Sequence, residues 1–236
     1  MLTPKLVFED SSLFVFSKPS GWITNEAETT TTQPVLQTYI KENFNYSLKG
    51  NVLMRNGIVH RLDKETSGLI LVAKNEESFI SLTSQFKERQ IEKKYVALAH
   101  GFTEDSGEIK ETVGRLPWRR DRFGILPGGR ESQTYFKLIK QFENDQDKYS
   151  LLELTPKTGR THQIRIHLKH IGHPIVGDTF YAGRKTSKKD RVWCPRLFLH
   201  ASFISFYHPD SGTKVSFVDE LPQDLNNILE KLTVLS

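Results

Sequence analysis

The chain has 236 residues, with 33 Lys and Arg against 28 Asp and Glu, a formal net charge of +5. Fifteen Phe, seven Tyr and three Trp exclude a disordered polyelectrolyte, and ordinary counts of 15 Gly and 10 Pro exclude collagen-like and low-complexity classes. A single cysteine, Cys194, excludes an intrachain disulfide and a Cys-based zinc site, and the longest apolar run, Gly68 to Ala73, falls far short of the roughly 20 residues of a membrane helix.

The opening MLTPKLVFED lacks the charged start and apolar run of a secretory signal, so the expectation is a cytoplasmic protein with no membrane partner. Apolar alternation over Leu6–Phe8 and Leu13–Phe16 predicts a hairpin, closed off by the Lys18-Pro19-Ser20-Gly21 turn. A short helix is expected over Pro34–Phe44, then extended segments over Gly57–Leu62 and Gly68–Lys74 around a polar corner. Phe79, Leu82 and Phe86 recur at helical spacing behind Asn75, a good N-cap, which predicts an amphipathic helix over residues 76 to 89. Strands follow over Tyr95–Ala99, Gln133–Phe142, Tyr149–Leu154 and Leu199–Phe206, with a hairpin loop at Glu143–Asp147. Ile164, Leu168 and Ile171 share one helical face, with Thr161 as N-cap, Gly172 as C-cap and Pro174 just beyond. A last helix fits Gln223–Leu232. Neither a repeat nor a linker-like stretch interrupts the chain, so the fold class expected is α+β: one domain over residues 1–236, with a mixed, mostly antiparallel sheet flanked by helices and loops around a central basic cleft.

The positive charge is concentrated. Lys157 to Arg191 holds nine Lys or Arg against Asp178 and Asp190, and Arg115, Arg119, Arg120, Arg122 and Arg130 face one acid, Asp121, among Trp118 and Phe123. Cations neutralise phosphates while rings and guanidinium planes stack on unpaired bases, so this mixture suits RNA. Taken alone, either cluster is as well explained by a solvated loop.

Two stretches could carry chemistry. In His60-Arg61-Leu62-Asp63-Lys64-Glu65-Thr66-Ser67-Gly68, Arg61 and Asp63 would share one face of a strand, with the acid presented where the strand ends; an Arg-x-Asp surface ion pair is the plainer reading. In Thr158-Gly159-Arg160-Thr161-His162-Gln163, a turn feeding a helix start offers amides and cations to an anion. His162, His167, His170 and His173 lie close in sequence, but no carboxylate or thiolate stands at ligand spacing, so no metal is expected. Phosphate-binding glycine loops, dinucleotide fingerprints and serine-hydrolase elbows are missing from the sequence.

With these stretches in view, the sequence resembles the RNA pseudouridine synthases of the RluA branch. Lys18-Pro19-Ser20-Gly21 is similar to that family's early turn, and His60 to Gly68 to its His-Arg-Leu-Asp-x-x-Thr-Ser-Gly motif. Lys94-Tyr95 matches the segment bearing its tyrosine, Thr158–Leu168 with Gly172–Asp178 its third motif, and Leu199-His200-Ala201 its late strand. Two departures stand out: Ile23-Thr24-Asn25-Glu26 occupies the place of a frequent Val-His-Pro, and where many relatives begin with an S4-type RNA-binding domain the Leu6–Phe8 strand is expected to open the catalytic domain almost at once. Lys185 to Pro195 matches no pattern of the family.

The resemblance implies isomerisation of uridine to pseudouridine in ribosomal or transfer RNA, without metal or cofactor, by a chain expected to be a monomer. It implies Asp63 as catalytic nucleophile, Tyr95 as the ring against the base, Arg165 as the cation paired with Asp63, and Arg61 as the wedge that replaces a flipped nucleotide. His60, Arg160, Leu168, Arg119, Arg120 and Arg122 complete the expected RNA contacts. The chemistry agrees: a neighbouring guanidinium keeps a carboxylate ionised, a Tyr can stack and move a proton, and extrusion of a nucleotide needs compensation. A catalytically inert RNA-binding protein is the alternative. A glycosidase using Asp63 and Glu65 is disfavoured, because residues two apart rarely flank a sugar at the roughly 5–9 Å that chemistry uses.

Overall fold

The alternation at the start of the chain produces the expected hairpin: β1(Lys5–Glu9) pairs antiparallel with β2(Leu13–Lys18). The computed structural model describes residues 2–26, 32–144 and 147–235, apart from the side chains of Arg120 and Asp121. Its contacts gather into two compact units, Met1–Lys93 with Ala201–Asp219, and Lys94–His200 with Glu220–Ser236.

In the first unit β2 also pairs antiparallel with β3(Ser67–Ala73), which is buried along its whole length, as a continuous apolar run requires. The strand order is β1-β2-β3-β9, where β9(Leu199–Tyr207) enters this unit at Ala201 and pairs with β10(Lys214–Val218). Side chains alternate across β2 and β3. Leu13, Val15, Leu69 and Leu71 pack with Leu82 of α2(Glu76–Lys87), while Phe14, Phe16, Ile70 and Val72 pack with Leu36 and Ile40 of α1(Leu36–Asn43). The two helices therefore cover opposite faces of one strand pair. Asn75 caps α2 as expected, its side chain accepting from Ser78 N at 2.9 Å.

The second unit is an antiparallel sheet in the order β4-β8-β7-β5-β6, from β4(Glu92–His100), β5(Ser106–Leu116), β6(Arg119–Ile125), β7(Arg130–Asn144) and β8(Asp147–Pro156). β11(Thr233–Val234) pairs with the end of β7. Leu98, Leu152, Leu154, Phe198, Ile164 and Leu168 of α3(Gln163–His170), and Leu225 of α5(Gln223–Leu229) share its main core. Residues 145 and 146 of the expected Glu143–Asp147 loop lie outside the described residues; the flanking register closes at Asn144↔Asp147.

Four local readings change. The extended segment over Gly57–Leu62 is a 3₁₀ turn at Arg55–Gly57 followed by irregular chain in which Ile58 bridges β3 at Val72 and Val59 N donates to Leu71 O at 3.5 Å. The arginine-rich stretch from Arg115 lies in a β-hairpin, β5–β6, turned at Pro117-Trp118; in β5 only Ile109 and Val113 are buried, so little apolar alternation betrayed it. Lys185 to Pro195 lies mostly in α4(Arg184–Trp193), held down by buried Ser187 and Asp190 in place of an apolar stripe; Asp190 accepts from Gly177 N at 2.9 Å and lies 3.0 Å from His100 Nε2. At α3 the N-cap is His162, in left-handed conformation at φ 56°, not Thr161. At the other end Gly172 has φ 88°, the left-handed conformation of a C-capping glycine, and His173 N reaches back to Leu168 O at 2.9 Å.

Candidate active site

In the first unit, the loop carrying His60, Arg61 and Asp63 makes no regular ladder, so its shape is set by individual hydrogen bonds. Arg61 and Asp63 share no strand face, because no strand forms here: Arg61 is exposed and Asp63 half-buried on irregular chain. Four consecutive carbonyls around Asp63 are nevertheless occupied. Leu62 O accepts from Thr24 Oγ1 at 2.8 Å, Asp63 O from Thr66 N at 3.1 Å, Lys64 O from Gly21 N at 2.8 Å, and Glu65 O from Ser20 Oγ at 2.8 Å. The early Lys-Pro-Ser-Gly turn and its continuation thus hold the backbone that presents the carboxylate. Buried Lys18 adds to this, its Nζ donating to Trp22 O at 2.9 Å, Pro19 O at 3.0 Å and Lys64 O at 3.4 Å. Gly68 cannot be replaced: its φ is 117°, and a Cβ there would meet Ala201 O at 2.3 Å.

His60 serves the scaffold. Its Nε2 accepts from Leu71 N at 2.9 Å and its ring lies 4.7 Å from that of Phe86. Burial, then the positive charges of Lys93 and Arg55, push its pKa down to about 3, so it stays neutral. Burial also lowers Lys93 to about 8.

In the second unit, Tyr95 is half-buried on β4, in register with Leu154 and packed against the core. Arg165 is 3% exposed on α3, and its Nε and Nη2 each donate at 2.8 Å to the two carboxylate oxygens of fully buried Asp178. Asp178 Oδ1 also accepts from Phe180 N at 2.9 Å and Tyr181 N at 3.1 Å, while the guanidinium lies 5.3 and 5.1 Å from the Phe180 and Tyr181 rings. A bidentate pair flanked by rings fixes the cation's plane as well as its position. Asp178 is the orienting residue that the sequence reading passed over, although it stands in the Gly177-Asp178 stretch of the third motif.

The remaining candidates separate by exposure. Arg119 is exposed on β6, and Arg122 donates through Nη1 to Phe180 O at 2.8 Å with its guanidinium 5.5 Å from the Phe180 ring. Arg120 is on the same strand, but its side chain lies outside the described residues. Half-buried Arg160 donates through Nε to Glu131 O at 3.2 Å. Leu168 is a correction. It has no exposed surface and packs in the core, because it shares its helix face with Ile164 and Ile171, so it presents nothing to RNA. The anion site expected at the start of α3 is also partly used up: Arg160 N donates to Gln163 Oε1 at 3.0 Å, and Gln163 N to Arg160 O at 3.1 Å.

The four clustered histidines have four separate partners: Tyr181 OH for His162, Ser132 Oγ for His167, Glu111 for His170 and His100 O for His173. Among the described residues, no three His, Cys, Asp or Glu side chains gather where they could hold a metal, and no helix is long and apolar enough to cross a membrane.

A family model described as RNA pseudouridylate synthase matches residues 12–170. A Chloroflexus aurantiacus protein named an uncharacterized RNA pseudouridine synthase is 42% identical over 179 residues, 76% of this chain and 54% of its own length. One of the same description from Bacillus subtilis is 35% identical over 96% of this chain and 72% of its own length. A ribosomal large subunit pseudouridine synthase D from Nitrosomonas europaea is 34% identical over 97% of this chain and 65% of its own length. The chain therefore spans between about half and three quarters of these relatives. Among solved structures, human RNA pseudouridylate synthase domain containing 1 superposes with a TM-score of 0.77 at 26% identity, covering 99% of this chain and 89% of that one.

Proposed function

Because the chain belongs to the family of RNA pseudouridylate synthases, we propose that it isomerises uridine to pseudouridine in a structured RNA, with Asp63 as nucleophile. The carboxylate adds to C1′ of the ribose or C6 of the base, and the N1–C1′ bond breaks with its electron pair passing to the uracil. After the ring turns, a C5–C1′ bond forms, Asp63 is released, C5 loses its proton and N1 gains one. Tyr95 stacks on the uracil and takes the C5 proton, and Arg165, its plane fixed by Asp178, supplies the cation for the Asp63 carboxylate. Arg61, exposed two residues before Asp63, fills the gap left by the everted nucleotide. Arg160 and the β5–β6 hairpin hold phosphates. No cofactor takes part, and residues 1–236 act as one catalytic domain and as a monomer.

The observation that carries this reading is the motif match combined with the restraint of the Asp63 backbone. Four consecutive tied carbonyls are what a presented nucleophile needs, and an ordinary surface ion pair does not. Several relatives are named for the ribosomal large subunit, which makes large-subunit ribosomal RNA the first substrate to test and transfer RNA the second. Transcripts labelled at uridine C5 with tritium release the label on isomerisation. Wild-type protein is expected to release it, and Asp63→Asn to bind the RNA without release. Turnover by Asp63→Asn would refute the nucleophile assignment, and binding without release by the wild type on either RNA would favour the inert RNA-binding alternative.

A further inference from the structure

We propose that Thr24 is a positioning residue for Asp63. This rests on the nucleophile reading above and adds to it a residue outside the motifs that carry the resemblance. Thr24 stands in the stretch that departs from the family's frequent Val-His-Pro, and it is only 2% exposed. Its one hydroxyl holds both backbone groups of Leu62: Oγ1 donates to Leu62 O at 2.8 Å and accepts from Leu62 N at 3.2 Å. Leu62 is itself buried, so neither backbone group has water as a substitute partner.

From Asp63 onward the carbonyls are tied by Thr66, Gly21, Lys18 and Ser20, and upstream His60 Nε2 accepts from Leu71 N, two residues before Leu62. Thr24 secures the side on which the chain enters Asp63. It is well placed for that, because its own backbone is anchored: Thr24 O accepts from Gln37 N at 3.1 Å and Ile23 O from Leu36 N at 2.8 Å, which satisfies the first free amides of α1. The hydroxyl thus joins the start of α1 to the residue before the nucleophile. A hydroxyl can do this and an isosteric methyl cannot, so Val at this position leaves Leu62 free to rotate its peptide planes. A rotation of that kind moves the Asp63 carboxylate by a fraction of its length, while RNA contacts elsewhere are untouched.

The test compares Thr24→Val, Thr24→Ser and a control, Ser205→Ala, which removes another buried hydroxyl of the same unit, bound to Val215 O at 2.9 Å. Single-turnover tritium release, RNA affinity and thermal unfolding are measured for each. Thr24→Val is expected to lose roughly tenfold to a hundredfold in single-turnover rate, at unchanged RNA affinity. Thr24→Ser is expected to recover most of the rate, and Ser205→Ala to keep the wild-type rate whatever its unfolding temperature. A wild-type rate in Thr24→Val, or an equal rate loss in Ser205→Ala at matched destabilisation, would overturn the proposal. Should Thr24→Val not fold, Thr24→Ala removes the same hydroxyl with a smaller side chain, and a wild-type rate there overturns the proposal equally. Asp63→Asn in the same assay separates the two claims. If it is inactive while Thr24→Val is fully active, the positioning role alone fails; if it is active, the nucleophile reading fails and this proposal with it.

Discussion

Acid should unfold this protein in part through one buried imidazole, His167. Ser132 Oγ donates its single proton to Glu111 O at 2.7 Å, so at 2.8 Å from His167 Nε2 it can only accept. The ring is therefore the Nε2–H tautomer, and Nδ1, a bare lone pair, is buried without a partner. Protonation would place a charged N–H there with nothing to receive it. Burial, then the charge of nearby His170, lowers the pKa from 6.5 to about 4. Above pH 6.5 the ring is neutral in both folded and unfolded chains and contributes no pH dependence. Below 6.5 the unfolded chain takes the proton and the folded one does not, so stability falls until about pH 4, where the folded chain takes it too. The loss from this ring is about 2 kcal/mol at pH 5 and approaches about 3 kcal/mol below pH 4. His60 works in the same direction from pH 6.5 downward and continues to about pH 3, where the folded chain takes its proton. Urea unfolding of the wild type and of His167→Gln between pH 7.5 and 4.5 measures it. The variant is expected to be less stable at neutral pH but to lose about 2 kcal/mol less on going to pH 5. Equal pH dependence in the two proteins would mean that His167 titrates alike folded and unfolded, and the tautomer argument would fail.

Tyr95→Phe should keep the ring against the base and remove the proton acceptor, reducing single-turnover tritium release by about 10²-fold or more at unchanged RNA affinity; a fully active variant would assign the C5 proton to another group. Replacing Arg119 and Arg122 with Gln should flatten the salt dependence of RNA binding by about 1–2 in log–log slope, read from titrations at several salt concentrations. An unchanged slope would put the phosphates elsewhere. Leu168→Ala should cost about 2–5 kcal/mol in urea unfolding, as deletion from a close-packed core does; a loss under about 1 kcal/mol would mean that Leu168 faces a surface after all.

Elements with a regular apolar period were legible. The Leu13–Phe16 and Gly68–Ala73 strands and the helix behind Asn75 appear where alternation, a continuous apolar run and an N-cap place them. Elements held by polar groups were not. The β5–β6 hairpin buries two side chains of β5, and α4 is anchored by Ser187 and Asp190, so neither carries a hydrophobic period to read. His162 starts α3 in a left-handed conformation that no propensity announces, with its Nδ1 2.8 Å from Tyr181 OH, a partner 19 residues away.

Composition and motif spacing alone determined the class of protein, because its motifs are local strings such as His60 to Gly68 that are legible without the fold. Tertiary structure decided how the side chains in those strings are held. Arg165 is pinned by Asp178, His60 is spent on Leu71 N, Leu168 is sealed in the core, and Asp63 is presented by a loop whose carbonyls are tied to residues some 40 positions earlier. The reason is that a hydrogen-bond partner brought from a distant part of the chain leaves no periodic trace in either segment, whereas the hydrophobic face of a strand or helix is written residue by residue.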